Sequence, residues 1–153
     1  MKLKIVCDDE KYLPTYANDT DACMDLKVKI DEDNENNDER VAFVMPKETK
    51  VFGTGVKVSI PLEHVMLIFP RSSTGIKLHC MLSNTTGVID SGYRDEIGII
   101  CWNTSDEKII LKAGERIAQG VLNEIPRGQF HIVEDITKVV GSNRNGGFGS
   151  SGK

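Results

Sequence analysis

The chain has 153 residues, 39% hydrophobic and 27% charged, a globular composition at about the length of one domain. Nineteen Lys and Arg against 23 Asp and Glu leave a net charge of −4. That balance argues against a broad nucleic-acid or anionic-membrane footprint and requires any anionic ligand to be held locally.

The longest apolar stretches, such as residues 65–69, are too short to span a bilayer, and the opening MKLKIVCDDE lacks the apolar run of a secretion signal. No membrane association and a cytoplasmic location are therefore expected. Cys7, Cys23, Cys80 and Cys101 form no CxxC pair, and His64, His79 and His131 are equally scattered, which favours reduced thiols over a structural zinc site.

Most apolar segments follow a two-residue period. Residues 2–6 come first, followed by residues 24–30, where Met24, Leu26, Val28 and Ile30 alternate with Asp25, Lys27 and Lys29. Similar short runs occupy residues 41–44, 55–60, 65–69, 97–102, 108–112 and 129–133, and no segment offers a long apolar stripe at helical spacing. An all-β antiparallel sandwich or barrel is the expectation. Residues 31–39, DEDNENNDE, hold six acids and three asparagines and read as a solvated loop. They lack the glycine and the ligand spacing of a calcium loop. Residues 141–153 contain five glycines, three serines and a single phenylalanine, a composition that suits a mobile tail rather than a regular element.

Four clusters could carry chemistry. Pro70-Arg71-Ser72-Ser73-Thr74-Gly75 combines a guanidinium fork with hydroxyls, which suits a phosphate group or, equally, a capped turn after a strand. In Asn84 to Glu96, Val88 and Ile89 before Ser91-Gly92, with Ile97, Ile99 and Ile100 after, describe a hairpin. There Asp90 is either a positioned general base or a turn aspartate. In Gly114 to Val121, alternation places Ile117, Gln119 and Val121 on one face, where Gln119 requires a partner: a phosphate oxygen, a water or a backbone group. In the tail, Arg144 offers a fork, Gly146, Gly147 and Gly149 offer close backbone approach, and Phe148 offers a stacking face.

Taken together, PRSSTG, NTTGVIDSGYRDEIG, GERIAQGV and RNGGFGSSG, in this order after DACMDL at residues 21–26, closely resemble the five motifs of the trimeric dUTPases. The resemblance spans residues 17–153. It implies a jelly-roll-like β-sandwich, with residues 1–140 as the β-domain, 31–39 as an insertion and 141–153 as a flexible lid. It also implies hydrolysis of dUTP to dUMP and pyrophosphate, which keeps uracil out of DNA and supplies dUMP for dTMP synthesis. Mg²⁺ would be held by the triphosphate and waters, with Asp25 nearby and no direct protein ligand.

By the same resemblance Asp90 is the general base, Arg71, Ser72, Ser73 and Gln119 hold phosphates, and Gln119 also lies near the attacking water. Asn84, Gly87, Val88 and Ile89 read the uracil, largely through backbone, and Tyr93 packs under the deoxyribose. Arg144 reaches the terminal phosphate, one residue closer to Phe148 than the common family spacing. Phe148 stacks over the base, and Gly149 and Ser150 close the cage. The implied partners are dUTP and two further copies, in a homotrimer with shared active sites. Two alternatives share the pattern: a dCTP deaminase-related enzyme, and a regulatory protein-binding member of the family whose acidic loop grips a partner. Without the resemblance, Asp25 reads as an exposed strand carboxylate paired with Lys27 or Lys29.

Overall fold

A computed structural model describes residues 2–31, 40–139 and 141. Its strands are β1 (Lys4–Cys7), β2 (Met24–Lys27), β3 (Val41–Val44), β4 (Thr49–Gly53), β5 (Val56–Ser59), β6 (His64–Pro70), β7 (Cys80–Leu82), β8 (Gly87–Asp90), β9 (Gly98–Asn103), β10 (Ile109–Lys112) and β11 (Arg116–Glu124). One helix, α1 (Ser72–Leu78), and two single 3₁₀ turns complete the described elements. All strand pairs are antiparallel, in the orders β1-β5, β3-β10, β2-β11-β6-β8 and β4-β9-β7.

The sheets close over one core because each strand turns alternate residues inward. Met24 and Leu26 of β2, Met66 and Ile68 of β6, and Ile117 and Ala118 of β11 meet Phe52, Leu82, Ile99 and Cys101 from the β4-β9-β7 sheet. Full burial of each large aliphatic side chain contributes about 1.5–3 kcal/mol. The buried Asn103 is satisfied throughout: its amide donates to the carbonyls of Val44, Met45 and Glu107 at 3.0, 3.1 and 2.7 Å. It thereby ties β9 to the ends of β3 and β10. Cys80 and Cys101 are buried free thiols, whereas Cys7 and Cys23 are half-buried. The neighbouring Cys80 thiol, together with burial, pushes the Cys101 thiol above its ordinary range.

The all-β expectation holds, but several local readings are corrected. Residues 129–133 form no strand: Phe130 and Ile132 are fully exposed, so their alternation packs against nothing among the described residues. β8 and β9 do not form a hairpin. The turn after Asp90 carries the chain from one sheet to another, with β8 on β6 and β9 between β4 and β7. In β11 a register shift between Arg116 and Ala118 buries Ile117 and Ala118 in succession and separates Ile117 from the face of Gln119. Strands β4 and β7 were not anticipated. The acidic residues 32–39 and the tail residues Arg144, Phe148, Gly149 and Ser150 lie outside the described residues, so the expected insertion and lid are not part of this description. Among the described residues no helix is long and apolar enough to cross a membrane.

Candidate active site

The cleft is built where β2, β11 and β6 run side by side. Asp25 on β2 stands opposite Gln119 on β11, which stands opposite Phe69 on β6. On its other side the Asp25 N–H donates to the Thr15 carbonyl at 2.8 Å, so the aspartate backbone is fixed from both edges. Strand β6 ends at Pro70, and Arg71 keeps an extended conformation before the chain turns into α1. The buried Thr74 hydroxyl of α1 donates to the Ile117 carbonyl at 3.0 Å, pinning the helix to β11 and setting Arg71 over the seam. The result is a cleft of about 350 Å³ whose lining includes Asp21, Cys23, Asp25, Arg71, Ser72 and Gln119.

Asp25 is only 7% exposed. Its Oδ1 lies 2.7 Å from Arg71 Nε and its Oδ2 lies 2.9 Å from Arg116 Nη1. A buried carboxylate is tolerable only when paired and hydrogen-bonded. Two guanidinium groups thus share one carboxylate, and Asp21 adds a second acid to the lining of the cleft. Arg71 Nη1 also donates to the Arg116 carbonyl at 3.1 Å and to Ser73 Oγ at 3.3 Å. Ser73 therefore serves to orient Arg71. Gln119 donates from Nε2 to the Pro70 carbonyl at 3.1 Å, one of the three kinds of partner its position allowed, and its own amide oxygen remains an acceptor for water.

Two findings here differ from the sequence reading. Asp25 is not an exposed carboxylate paired with Lys27 or Lys29; Lys29 pairs instead with Asp8 at 2.6 Å and Asp31 at 3.5 Å. Arg116, the second cation on Asp25, was missed. Its only signal was a basic residue two positions after Gly114, and the bulge that turns it toward Asp25 has no sequence signature.

The second cluster lies elsewhere. Asp90 is exposed at the end of β8, and its carboxylate makes no ion pair or hydrogen bond among the described residues. Ile89 is buried and Val88 exposed. Gly87 lies against Ile68 so closely that a Cβ there would come within 3.0 Å of the Ile68 Cβ. Asn84 precedes this strand in a turn in which Thr85 takes a positive φ of 61°. The Tyr93 N–H donates to the Asp90 carbonyl at 3.0 Å, and its hydroxyl donates to the Glu96 carbonyl at 2.8 Å. Asp90 pairs with Val65 on β6, whereas Arg71 follows the far end of that strand. Six residues of strand separate them by roughly 20 Å. Within one chain the structure thus brings Asp25, Arg71, Ser72 and Gln119 together and leaves Asp90 and Tyr93 apart from them.

The family model for dUTPase matches residues 9–152. The chain belongs to the dUTPase family. It is 38% identical over 142 residues to the deoxyuridine 5′-triphosphate nucleotidohydrolase of Legionella pneumophila, covering 92% of this chain and 87% of that protein. The corresponding protein of Haemophilus influenzae is 37% identical over the same shares. Among solved structures, a mutant dUTPase of Staphylococcus bacteriophage 80alpha with dUpNHpp overlays with a TM-score of 0.82 at 26% identity, covering 99% of both chains. The dUTPase of Streptococcus mutans overlays with a TM-score of 0.72 at 26% identity, covering 85% of this chain and all of that one. Membership bears out the resemblance carried by the motifs, the jelly-roll-like sandwich and the implied enzyme class, a dUTP diphosphatase.

Proposed function

We propose that the chain hydrolyses dUTP to dUMP and pyrophosphate with Mg²⁺, in a homotrimer whose sites combine residues of different copies. The observation that carries the reading is the convergence of Arg71, Ser72, Gln119 and Asp25 on one cleft, with Arg71 fixed by Asp25 as the local cation an anionic triphosphate requires of a chain with net charge −4. The same geometry motivates the assembly. A base about 20 Å from the phosphate grip cannot serve it within one chain, so the Asp90 turn of one copy faces the Arg71 cleft of another. The exposed Phe130 and Ile132, in an alternating segment unpaired among the described residues, support a second contact between copies.

In this reading Arg71 and Ser72 hold the triphosphate, with Ser73 orienting Arg71 behind them, and Gln119 and Asp90 fix a water in line with the α-phosphorus. Asp90 takes a proton as the water oxygen bonds to phosphorus. The bond to the bridging oxygen breaks, and pyrophosphate leaves with that electron pair. Among the described residues no cluster of three or more His, Cys, Asp or Glu could hold a metal. The hard oxygen donors Asp21 and Asp25 at the cleft nonetheless suit an ion bound mainly by phosphate oxygens and water. When bound, Mg²⁺ neutralises the triphosphate and the charge developing on the leaving group. The backbone around Gly87, Val88 and Ile89, with Asn84, presents donors and acceptors that accept uracil and reject cytosine. Tyr93 packs under the deoxyribose and excludes a 2′-hydroxyl. Arg144, Phe148, Gly149 and Ser150 complete the site as a closing lid. A cytoplasmic location suits this activity.

The test is pyrophosphate release with Mg²⁺ from dUTP beside dCTP, dTTP and UTP. Release from dUTP alone is expected. Ammonia release from dCTP, or a folded protein inert to all four, contradicts the proposal.

A further inference from the structure

We propose that Glu96 is a positioning residue for sugar selectivity, holding Tyr93 through its main chain and locking that stretch to the β4–β5 turn through its carboxylate. The inference rests on the reading of Tyr93 as the wall under the deoxyribose. Around Tyr93 the turn is exposed at Gly92, Arg94 and Asp95, and within it Arg94 Nη1 donates to the Ser91 and Tyr93 carbonyls at 2.7 and 2.8 Å, bonds that tie the turn to itself and not to the rest of the fold. The ring itself is half-buried against the core, and its hydroxyl ends on the Glu96 carbonyl at 2.8 Å. A ring that must reject one added hydroxyl has to be stiff, because a wall that yields by an ångström rejects nothing.

Glu96 supplies that stiffness. Its Oε1 accepts the Gly55 N–H at 2.6 Å, and Gly55 has a left-handed φ of 70° at the β4–β5 turn. The carboxylate occupies the space beside Gly53, where any Cβ would overlap it. Next to it, the Ile97 N–H donates to the Val56 carbonyl and the buried Thr54 hydroxyl donates to the Ile97 carbonyl, both at 2.9 Å. Three bonds thus clamp residues 96–97 to residues 54–56. Lys29, whose pKa is raised to about 12 chiefly by Asp8, also feels the Glu96 charge, so the carboxylate has a cation near it.

The experiment compares kcat/KM for dUTP and UTP in the assembled full chain, with melting temperatures measured alongside. Glu96→Ala, Gly53→Ala and Tyr93→Phe should each lower the dUTP-to-UTP ratio by about tenfold, the worth of one hydrogen bond. Most of the change should lie in UTP. Glu96→Gln should keep the ratio, since its amide oxygen still accepts from Gly55. The Glu96→Ala, Tyr93→Phe double variant should be no worse than either single one. Gly53→Ala displaces only the far end of a flexible side chain, so it carries the test if Glu96→Ala does not fold. Unchanged ratios in Glu96→Ala and Gly53→Ala, beside a collapsed ratio in Tyr93→Ala, overturn the role of Glu96 and leave that of Tyr93 standing. An unchanged ratio in Tyr93→Ala overturns the reading of Tyr93 itself and, with it, the proposal.

Discussion

Replacing Asp25 with Asn separates charge from shape at the centre of the cleft. The amide keeps an oxygen for Arg71 Nε, now 2.7 Å from a carboxylate oxygen, but removes the charge that strengthens this bond. A charge-assisted bond at this distance contributes about 1.5–3 kcal/mol, and roughly half of that is lost to a neutral acceptor. At the other oxygen the new NH₂ faces Arg116 Nη1, 2.9 Å from Oδ2, donor against donor. The Arg116 side chain is 48% exposed, so water screens this repulsion and the loss there is only about 0.5–1 kcal/mol. Adding the uncompensated charge on the better-covered Arg71, we expect destabilisation of about 2–3 kcal/mol, a fall in Tm of about 4–12 °C for a chain of this size. Arg116→Ala alone should cost about 0.5–1 kcal/mol, and adding it to Asp25→Asn should recover part of the loss by removing the facing donor. Thermal or urea unfolding at fixed protomer concentration measures all three. An Asp25→Asn melt indistinguishable from wild type, or strictly additive losses in the double variant, would refute the view of Asp25 as a carboxylate clamped by two guanidinium groups.

Two further perturbations probe the chemistry and the assembly. Asp90→Asn should lower turnover of dUTP by about 10³-fold while leaving dUTP binding within a few-fold of wild type; steady-state kinetics beside equilibrium binding decides it, and near-normal turnover removes Asp90 as the base. Phe130→Ser with Ile132→Ser should weaken association with little effect on the fold of the monomer, since both side chains are fully exposed in the single chain. Sedimentation and circular dichroism together check this, and an unaltered trimer shows that the segment is not an interface.

The sandwich was legible because its strands alternate cleanly: Val56 and Val58 point inward while Lys57 and Ser59 point out, and β9 repeats the pattern. Strand β4, TKVFG, escaped because its only fully buried residue is Phe52, and β7, with three residues, is too short to show a period. Residues 129–133 misled for the opposite reason, since a strand pattern records the need for a partner without saying on which chain the partner lies. At the site, Arg71 and Gln119 stood in recognisable motifs. The burial of Asp25 depended on Arg71 and Arg116, 46 and 91 residues further along the chain. No local rule joins those three. The turn at Ser91-Gly92 was correctly placed, yet which sheets it connects is a matter of topology that turn chemistry does not encode.

We propose that dUTP is hydrolysed at a site assembled from the Arg71 cleft of one copy and the Asp90 turn of another. Arg71→Ala and Asp90→Asn should each be nearly inactive alone. Unfolded together in equal amounts and reassembled, they should regain about a quarter of wild-type pyrophosphate release, because random mixing in a closed ring pairs an intact cleft with an intact turn at about one site in four. Hybrid trimers that form and remain as inactive as either parent would contradict the shared site.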